Sequence, residues 1–368
     1  MTQKKKLLLI SVSAGAGHVR IAEALKKTAK KDFPNFEVKH IDMMDYVSLP
    51  IKKAIVDAYS LLIKNAPAIW GFLYKQSDDN TRLEKVEKII SKGTHVGAKK
   101  FYAFLDEYNP DTIICTHPFP AQAIKKSTKK EHRDIPVSLV VTDYGIHALW
   151  IIKDIHTYFV ATEQMALQIQ KIIKEQRVIV SGIPVQPDFF EQKDIHTLKE
   201  KHTIPEDKKV ILLLSGGHGM VRIDTLAKYL LHHMTETPIH VIAIAGKNTE
   251  LQKKLERITH EYVGTNSLTS LGWTNAVDEY MRIADVIITK PGGSTTSECR
   301  VLQKPIIAIS PIPGQEELNT EYIVQNKLGY KATTLLQLEQ FTKRILEEKT
   351  EIKKERVTNV GKTILENI

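Results

Sequence analysis

The sequence predicts an α/β protein built from two doubly wound parallel sheets. Three observations carry that expectation. The chain has 368 residues, too many for one ordinary hydrophobic core and enough for two. Short β-branched runs alternate with amphipathic helical stretches, as in parallel strands joined by crossover helices. The alternation also runs twice, restarting after a polar interval, with a glycine loop behind the first strand each time.

Composition sets the class. A hydrophobic share of 42% and a charged share of 26% are those of a soluble globular protein. A net charge of +9, with a pI of about 9.2, favours anionic partners such as nucleotides, nucleic acid or acidic lipid. Cys115 and Cys299 sit in apolar segments, so a reducing compartment is expected rather than a disulfide framework. No apolar run approaches the ~20 residues that span a bilayer. Lys4-Lys5-Lys6 and the apolar run behind them imitate a secretion signal. That run passes straight into a glycine loop and a helix, as a first strand does.

Residues 7–12 read as the first strand. Ser13-Ala14-Gly15-Ala16-Gly17-His18 follows, then a helix with Ile21, Ala22, Leu25 and Ala29 on one stripe. The loop resembles a dinucleotide fingerprint only loosely, because its third glycine is missing. It places His18 at a helix N-terminus on the carboxyl edge of a parallel sheet, where ligands bind. A helix N-terminus disfavours imidazolium and keeps the ring able to accept a proton. A histidine bonded only to loop backbone would look the same from sequence.

Residues 36–41 alternate and read as strand two, and residues 43–105 read as helices. Within them, stretch 59–75 carries Tyr59, Trp70 and Tyr74 between Lys64 and Lys75. Such a helix can lie in a membrane interface. A core helix bent at Pro67 is the plainer alternative. Ser77-Asp78-Asp79-Asn80 reads as a loop and helix cap. Strands resume at 111–116, 136–142, 157–161 and 177–181. Two of their ends carry polar groups, Thr116-His117 and Thr142-Asp143, with His147 and Trp150 just beyond. In a parallel sheet His18, His117 and Asp143 would share one crevice. An Asp–His pairing there would orient an imidazole and raise its basicity.

Residues 181–187 break the pattern. The expected division is a first domain over 1–185, a linker over 186–207, a second domain over 208–345 and a closing helix over 346–368. That helix is either solvated or packed back on the first domain. Strands of the second half are expected at 210–215, 240–246, 267–273, 285–289 and 305–310. The first is followed by Ser215-Gly216-Gly217-His218-Gly219, a loop that can hold phosphate through backbone N–H groups or simply turn the chain. Trp273 ends the third and could hold a base. Behind 285–289 comes Lys290-Pro291-Gly292-Gly293-Ser294-Thr295-Thr296-Ser297-Glu298. Gly292 and Gly293 let the backbone approach an anion, and the first helical N–H groups, near Ser294 and Thr295, then point at it. Glu298, one turn further, could accept two ribose hydroxyls. A plain turn with a capping Ser or Thr is the alternative. Gln315 and Glu316 have the reach for sugar hydroxyls.

The stretches LGWTNAVDEYMRIADVIITKPGGSTTSE and KPIIAISPIPGQEELN resemble the donor half of the diacylglycerol glycosyltransferases. That family includes bacterial processive diacylglycerol glucosyltransferases and plant monogalactosyldiacylglycerol synthases, relatives of the enzyme that glycosylates lipid I. The first half agrees through Gly15-Ala16-Gly17-His18, through Tyr59, Pro67, Trp70 and Tyr74, and through Thr142-Asp143 with His147 and Trp150. The resemblance implies a GT-B fold and a UDP-hexose donor, glucose before others. Gly17, Gly216, Gly217, His218, Gly219, Trp273, Gly292, Gly293, Ser294, Thr295, Glu298, Gln315 and Glu316 would bind that donor. His18 would be the general base, assisted by Asp143. Tyr59, Trp70, Tyr74, His117, His147 and Trp150 would serve the acceptor and the membrane.

The implied partners are diacylglycerol or a glycosyl-diacylglycerol and an anionic membrane. The implied place is peripheral, on the inner face of the cell membrane. No cofactor and no metal are expected, since neither Asp-x-Asp nor a His/Cys constellation occurs. Nucleic acid is not expected as a partner, because the basic residues are scattered and no reader motif occurs. Two features depart from the family pattern: His218, and the hydroxyl-rich Ser294–Ser297 run, which leaves the donor sugar open. A lipid I-type transferase, a UDP-N-acetylglucosamine 2-epimerase and a non-catalytic nucleotide-sugar sensor are the competing readings.

Overall fold

A computed structural model of the chain describes residues 4–13, 15–47, 99–217, 219, 221–347 and 357–368. The aromatic stretch with Tyr59, Trp70 and Tyr74, the 77–80 loop and His218 lie outside these residues. The chain divides into two compact units. The first is Met1–Pro187 with Ile312–Leu318 and Thr358–Ile368, and the second is Asp188–Pro311 with Asn319–Val357.

The first unit holds β1 (Lys5–Ser11), α1 (Ala16–Asp32), β2 (Phe36–Asp42), α2 (Lys99–Tyr108), β3 (Thr112–Cys115), α3 (Pro118–Lys125), α4 (Lys130–Asp134), β4 (Val137–Val140), β5 (Thr157–Val160), α5 (Glu163–Ile172) and β6 (Val178–Val180). Its six strands run parallel in the order β2-β1-β3-β4-β5-β6. Leu7, Leu8, Leu9 and Ile10 of β1 are all fully buried. A strand covered on both faces needs a continuous apolar run, which is why its sequence does not alternate. Edge strand β2 does alternate. Helix α1 buries Ile21, Ala22, Ala24, Leu25, Thr28 and Ala29.

The second unit holds α6 (Ile195–Lys201), β7 (Lys209–Leu214), α7 (Ile223–His233), β8 (Ile239–Ile244), α8 (Thr249–Glu261), β9 (Ser267–Leu271), α9 (Val277–Ile283), β10 (Val286–Thr289), α10 (Gly293–Val301), β11 (Ile306–Ala308), most of α11 (Gln315–Gln325), β12 (Gly329–Lys331) and α12 (Leu335–Leu346). The sheet is again parallel, in the order β12-β11-β10-β7-β8-β9. Ile211, Leu213, Val241, Ala243 and Ile288 from its strands meet Leu230 and Leu231 of α7 and Leu255 of α8 in one core. Each sheet reverses its winding once, between β1 and β3 and between β7 and β10. At such a point neighbouring loops leave in opposite directions and open a crevice above the carboxyl ends.

Several details differ from the sequence reading. Strand β12 was not anticipated, because Gly-Tyr-Lys carries no apolar run. It is a strand through pairing alone, and a Cβ on Gly329 would lie 1.8 Å from the Ile306 carbonyl oxygen. The expected closing helix is not continuous. Helix α12 starts at Leu335 behind a Thr334 cap and ends at Leu346. Residues 357–359 are non-helical, and a separate α13 (Val360–Glu366) follows. Helix α13 packs on α1. Val360 and Ile364 are buried, Lys362 pairs with Asp32 at 3.2 Å, and a Cβ on Gly361 would meet Thr28 Oγ1 at 2.8 Å.

Part of the stretch expected as a linker is folded. Lys193 Nζ donates to Asp278 at 2.6 Å, while Lys201 Nζ and His202 Nε2 reach Glu279 at 2.8 and 2.6 Å. Burial alone would raise the Glu279 carboxyl, but these hydrogen bonds and neighbouring lysines hold it down at about 2. Among the described residues no helix is long and apolar enough to cross a membrane. Both cysteines are free and buried.

His240 on β8 gives a stability prediction. Its ring is held between Ser267 Oγ at 2.8 Å and Thr269 Oγ1 at 3.1 Å. Burial, with Lys208 and Lys199 adding to it, lowers its pKa to about 4. The unfolded chain therefore binds a proton here near pH 6.5 that the folded chain refuses until near pH 4. Stability is full above pH 6.5 and falls as pH drops toward 4, by up to about 3 kcal/mol from this group. Urea midpoints at pH 7 and pH 4.5 should show the loss, and His240→Gln should reduce it.

Candidate active site

The first half-site gathers at the carboxyl ends of β1, β3 and β4, which are neighbours in the sheet. His18 lies in the first turn of α1 and is half-buried. Its Nδ1 is 2.7 Å from the Thr116 carbonyl oxygen and 3.0 Å from Thr142 Oγ1. A carbonyl can only accept, so Nδ1 carries the hydrogen and the neutral ring keeps its lone pair on Nε2. Thr116 Oγ1 donates back to the His18 carbonyl at 2.9 Å, which locks the helix turn to β3.

The other two imidazoles are wired the opposite way. Phe119 N–H donates to His117 Nδ1 at 3.2 Å, and Leu149 N–H donates to His147 Nδ1 at 3.3 Å. In their neutral forms both therefore carry hydrogen on Nε2. The His18 and His117 rings meet edge to face at 4.7 Å. Trp150 lies 6.4 Å from each of those rings and is only 2% exposed, so its indole forms a wall of the cluster. Asp143, also at the end of β4, is buried.

Electrostatics follow from this packing. Burial lowers the His18 pKa, and the Asp143 charge and the Thr116 hydrogen bond push it partly back up. Burial holds His117 well below the imidazole range, with the neighbouring imidazoles adding to the effect. Burial takes His147 to about 3. Near neutral pH all three rings are uncharged.

The second half-site lies at the switch between β7 and β10. Gly216 and Gly219 have φ of +78° and +63°, a conformation that costs other residues energy. A Cβ on Gly216 would meet the Lys290 side chain at 3.4 Å, so that lysine runs from the end of β10 over the β7 loop. Asn248 caps α8 through Oδ1 to Leu251 N–H at 3.0 Å and donates from Nδ2 to the Gly219 carbonyl at 2.9 Å. Gly292 is the N-cap of α10 and makes no side-chain cap hydrogen bond, so it leaves the first-turn amides without a capping side chain of its own. Asn319 Nδ2 donates to the Pro291 carbonyl at 2.9 Å and fixes this turn. Glu298 is buried one turn into α10.

Trp273 is 56% exposed, with the Lys247 ammonium 5.0 Å from its ring centre. Gln315 and Glu316 fall in the segment grouped with the first unit. One Glu316 oxygen accepts from Ile312 N–H at 2.9 Å. Residues 18–185 match the monogalactosyldiacylglycerol (MGDG) synthase family, and residues 210–365 match the glycosyltransferase family 28 C-terminal domain. The processive diacylglycerol beta-glucosyltransferase of Bacillus licheniformis is 29% identical over 378 residues, spanning 100% of this chain and 95% of that one.

The chain is a glycosyltransferase, similar along its whole length to the diacylglycerol glycosyltransferases. Its fold is GT-B. MurG of Acinetobacter baumannii superposes with a TM-score of 0.64 at 12% identity over 99% of each chain. A UDP-GlcNAc 2-epimerase from Neisseria meningitidis, solved with UDP-GlcNAc bound, superposes with a TM-score of 0.54 at 13% identity over 98% of each. At such identities the likeness concerns the fold alone.

Sequence reasoning about this glycosyltransferase missed Thr116 and Thr142 as the groups holding His18. It also missed Asn248 and Asn319 as the groups bracing the two glycine turns of the second unit. The threonines each precede a residue it did single out, and Asn319 closes the stretch that carried the resemblance. A glycine is not needed everywhere in these loops. Gly15 has φ −150° and a Cβ there would meet nothing within 4 Å. Gly15→Ala should change the urea unfolding free energy by less than about 0.5 kcal/mol.

Proposed function

We propose that this glycosyltransferase moves a hexose, glucose before others, from a UDP-sugar to the hydroxyl of diacylglycerol or a glycosyl-diacylglycerol, with inversion. Its place is the cytoplasmic face of the membrane. The observation that carries the reading is the fixed tautomer of His18, whose Nδ1 hydrogen is committed to the Thr116 carbonyl. Nε2 then takes the proton of the acceptor hydroxyl. The acceptor oxygen forms a bond to the anomeric carbon from the face opposite the nucleotide, and the bond from that carbon to the diphosphate oxygen breaks. The sugar leaves inverted, the proton rests on His18 until solvent removes it, and UDP carries the electron pair away.

The half-site at β7 and β10 fits the donor. Diphosphate charge grows in the transition state. The uncapped first turn of α10 and the glycine loop offer backbone N–H groups that need no reorganisation to meet it. Glu298 serves the ribose hydroxyls, and Gln315 and Glu316 serve the hexose. Trp273 stands on the base side. Trp150, His117 and His147 form the dry wall against which the acceptor hydroxyl is presented, and Tyr59, Trp70 and Tyr74 would lead its acyl chains toward the bilayer. The likeness of the Bacillus licheniformis enzyme over the whole chain supports glucose and diacylglycerol as the pair to try first.

The test uses the purified full chain, a panel of UDP-sugars and diacylglycerol in anionic vesicles, read by mass spectrometry. A glycosyl-diacylglycerol from UDP-glucose is expected. An epimerised UDP-sugar without lipid product, or tight UDP-sugar binding with no product at all, would sink this reading.

A further inference from the structure

A second imidazole lies within the same unit as His18 but outside the site described above. His40 sits on edge strand β2. Its Nδ1 is 2.5 Å from Glu23 Oε1 and its Nε2 is 2.8 Å from Ser11 Oγ. The order Ser–His–Glu imitates a hydrolase triad. Ser11, however, is fully buried, so no substrate reaches its hydroxyl. The arrangement is a strut, and what it joins gives it meaning. Ser11 is the last residue of β1, immediately before the loop that leads to His18. Glu23 stands on α1, whose first turn carries His18. Two residues along β2, Asp42 Oδ1 accepts from Ser13 N–H at 3.2 Å and from Met44 N–H at 3.0 Å.

We infer that His40 is a positioning residue for His18, holding the end of β1 and helix α1 in the one rotation that aims the His18 ring. The ring is gripped from the opposite side by Thr116 and Thr142, which belong to β3 and β4. Two grips on opposite sides are needed to stop a helix rolling about its axis. On the β2 side the buried apolar side chains Phe36 and Ile41 supply packing, and the polar links through His40 and Asp42 add direction to it. His40 spans both parts of the loop–helix junction, and Lys26 braces the carboxylate it donates to at 3.1 Å. A misplacement of about 1 Å in a reacting group can cost about a hundredfold in rate, so loss of this strut should be felt in turnover.

This inference rests on His18 being the general base, and the test separates the two. Protein with isotope-labelled histidine reports the His18 ring by nuclear magnetic resonance whether or not lipid is glycosylated. His40→Ala is expected to shift the His18 ring signals and to lower kcat about ten- to a hundredfold with the KM for UDP-sugar unchanged. His40→Asn, whose amide can still donate to Glu23, should recover much of both. Should His40→Ala fold poorly, Glu23→Gln weakens the same link with the imidazole in place and should shift the same signals. His18 signals and kcat per folded molecule that match wild type in these variants would overturn the role of His40. Turnover that survives His18→Ala, with the His18 signals shifted in His40→Ala, would overturn the base assignment alone.

Discussion

Replacing His18 with alanine should lower turnover by about 10²–10⁴-fold, the usual contribution of a positioned general base, and leave UDP affinity unchanged. The argument is geometric first. Of the imidazoles in the cluster, His18 alone has Nδ1 bonded to a carbonyl, while His117 and His147 use Nδ1 to accept backbone N–H groups. Only His18 therefore presents a bare Nε2 when neutral. The pH dependence adds a signed test. Burial lowers its pKa below 6.5, and a base works only when unprotonated, so the acid limb of kcat should lie below pH 6.5. The Asp143 charge pushes that pKa up, so Asp143→Asn should move the limb to still lower pH. A rate profile with its limb above pH 6.5, or near-normal turnover in His18→Ala, would remove His18 from this role.

Gly219→Ala should cost the second unit about 2–5 kcal/mol, the sum of a left-handed backbone penalty and overpacking. It should also weaken UDP binding at least about tenfold through lost charge-assisted hydrogen bonds. Gly219 has φ +63°, and a Cβ there would lie 2.3 Å from Asn248 Cβ and 2.7 Å from the Ala245 carbonyl oxygen. The carbonyl belongs to a backbone that cannot step aside, so the loop itself must move. That movement also breaks the bond from Asn248 to the Gly219 carbonyl, and the loop amides then lose their aim. Nearby space is equally tight: a Cβ on Gly246 would lie 2.8 Å from the Gly216 carbonyl oxygen. Urea unfolding and titration calorimetry with UDP check both effects. Wild-type affinity in a destabilised Gly219→Ala would mean that the loop is a structural turn and that phosphate is held elsewhere.

The central strands of the two sheets were legible because parallel strands covered on both faces demand nearly unbroken apolar runs, as in residues 7–10, 210–214 and 286–288. The glycine turns were legible because left-handed backbone and close approach admit few other residues, as at Gly216 and Gly219. Where a short element lacked such a run, the sequence was silent. β12 exists through its pairing with β11, and the expected single closing helix is interrupted before Asn359, with α13 drawn onto α1 by contacts some 330 positions away in the chain.

What the sequence determined by itself is at which strand ends the candidate residues stand, because local pattern fixes strands, glycine turns and helix starts. What only the tertiary structure decided is the role each can take. The tautomer of His18 depends on a carbonyl 98 positions away, and the wall formed by Trp150 depends on burial among rings from other loops. Hydrogen-bond direction and desolvation arise between segments that meet only after folding, and no local pattern encodes them.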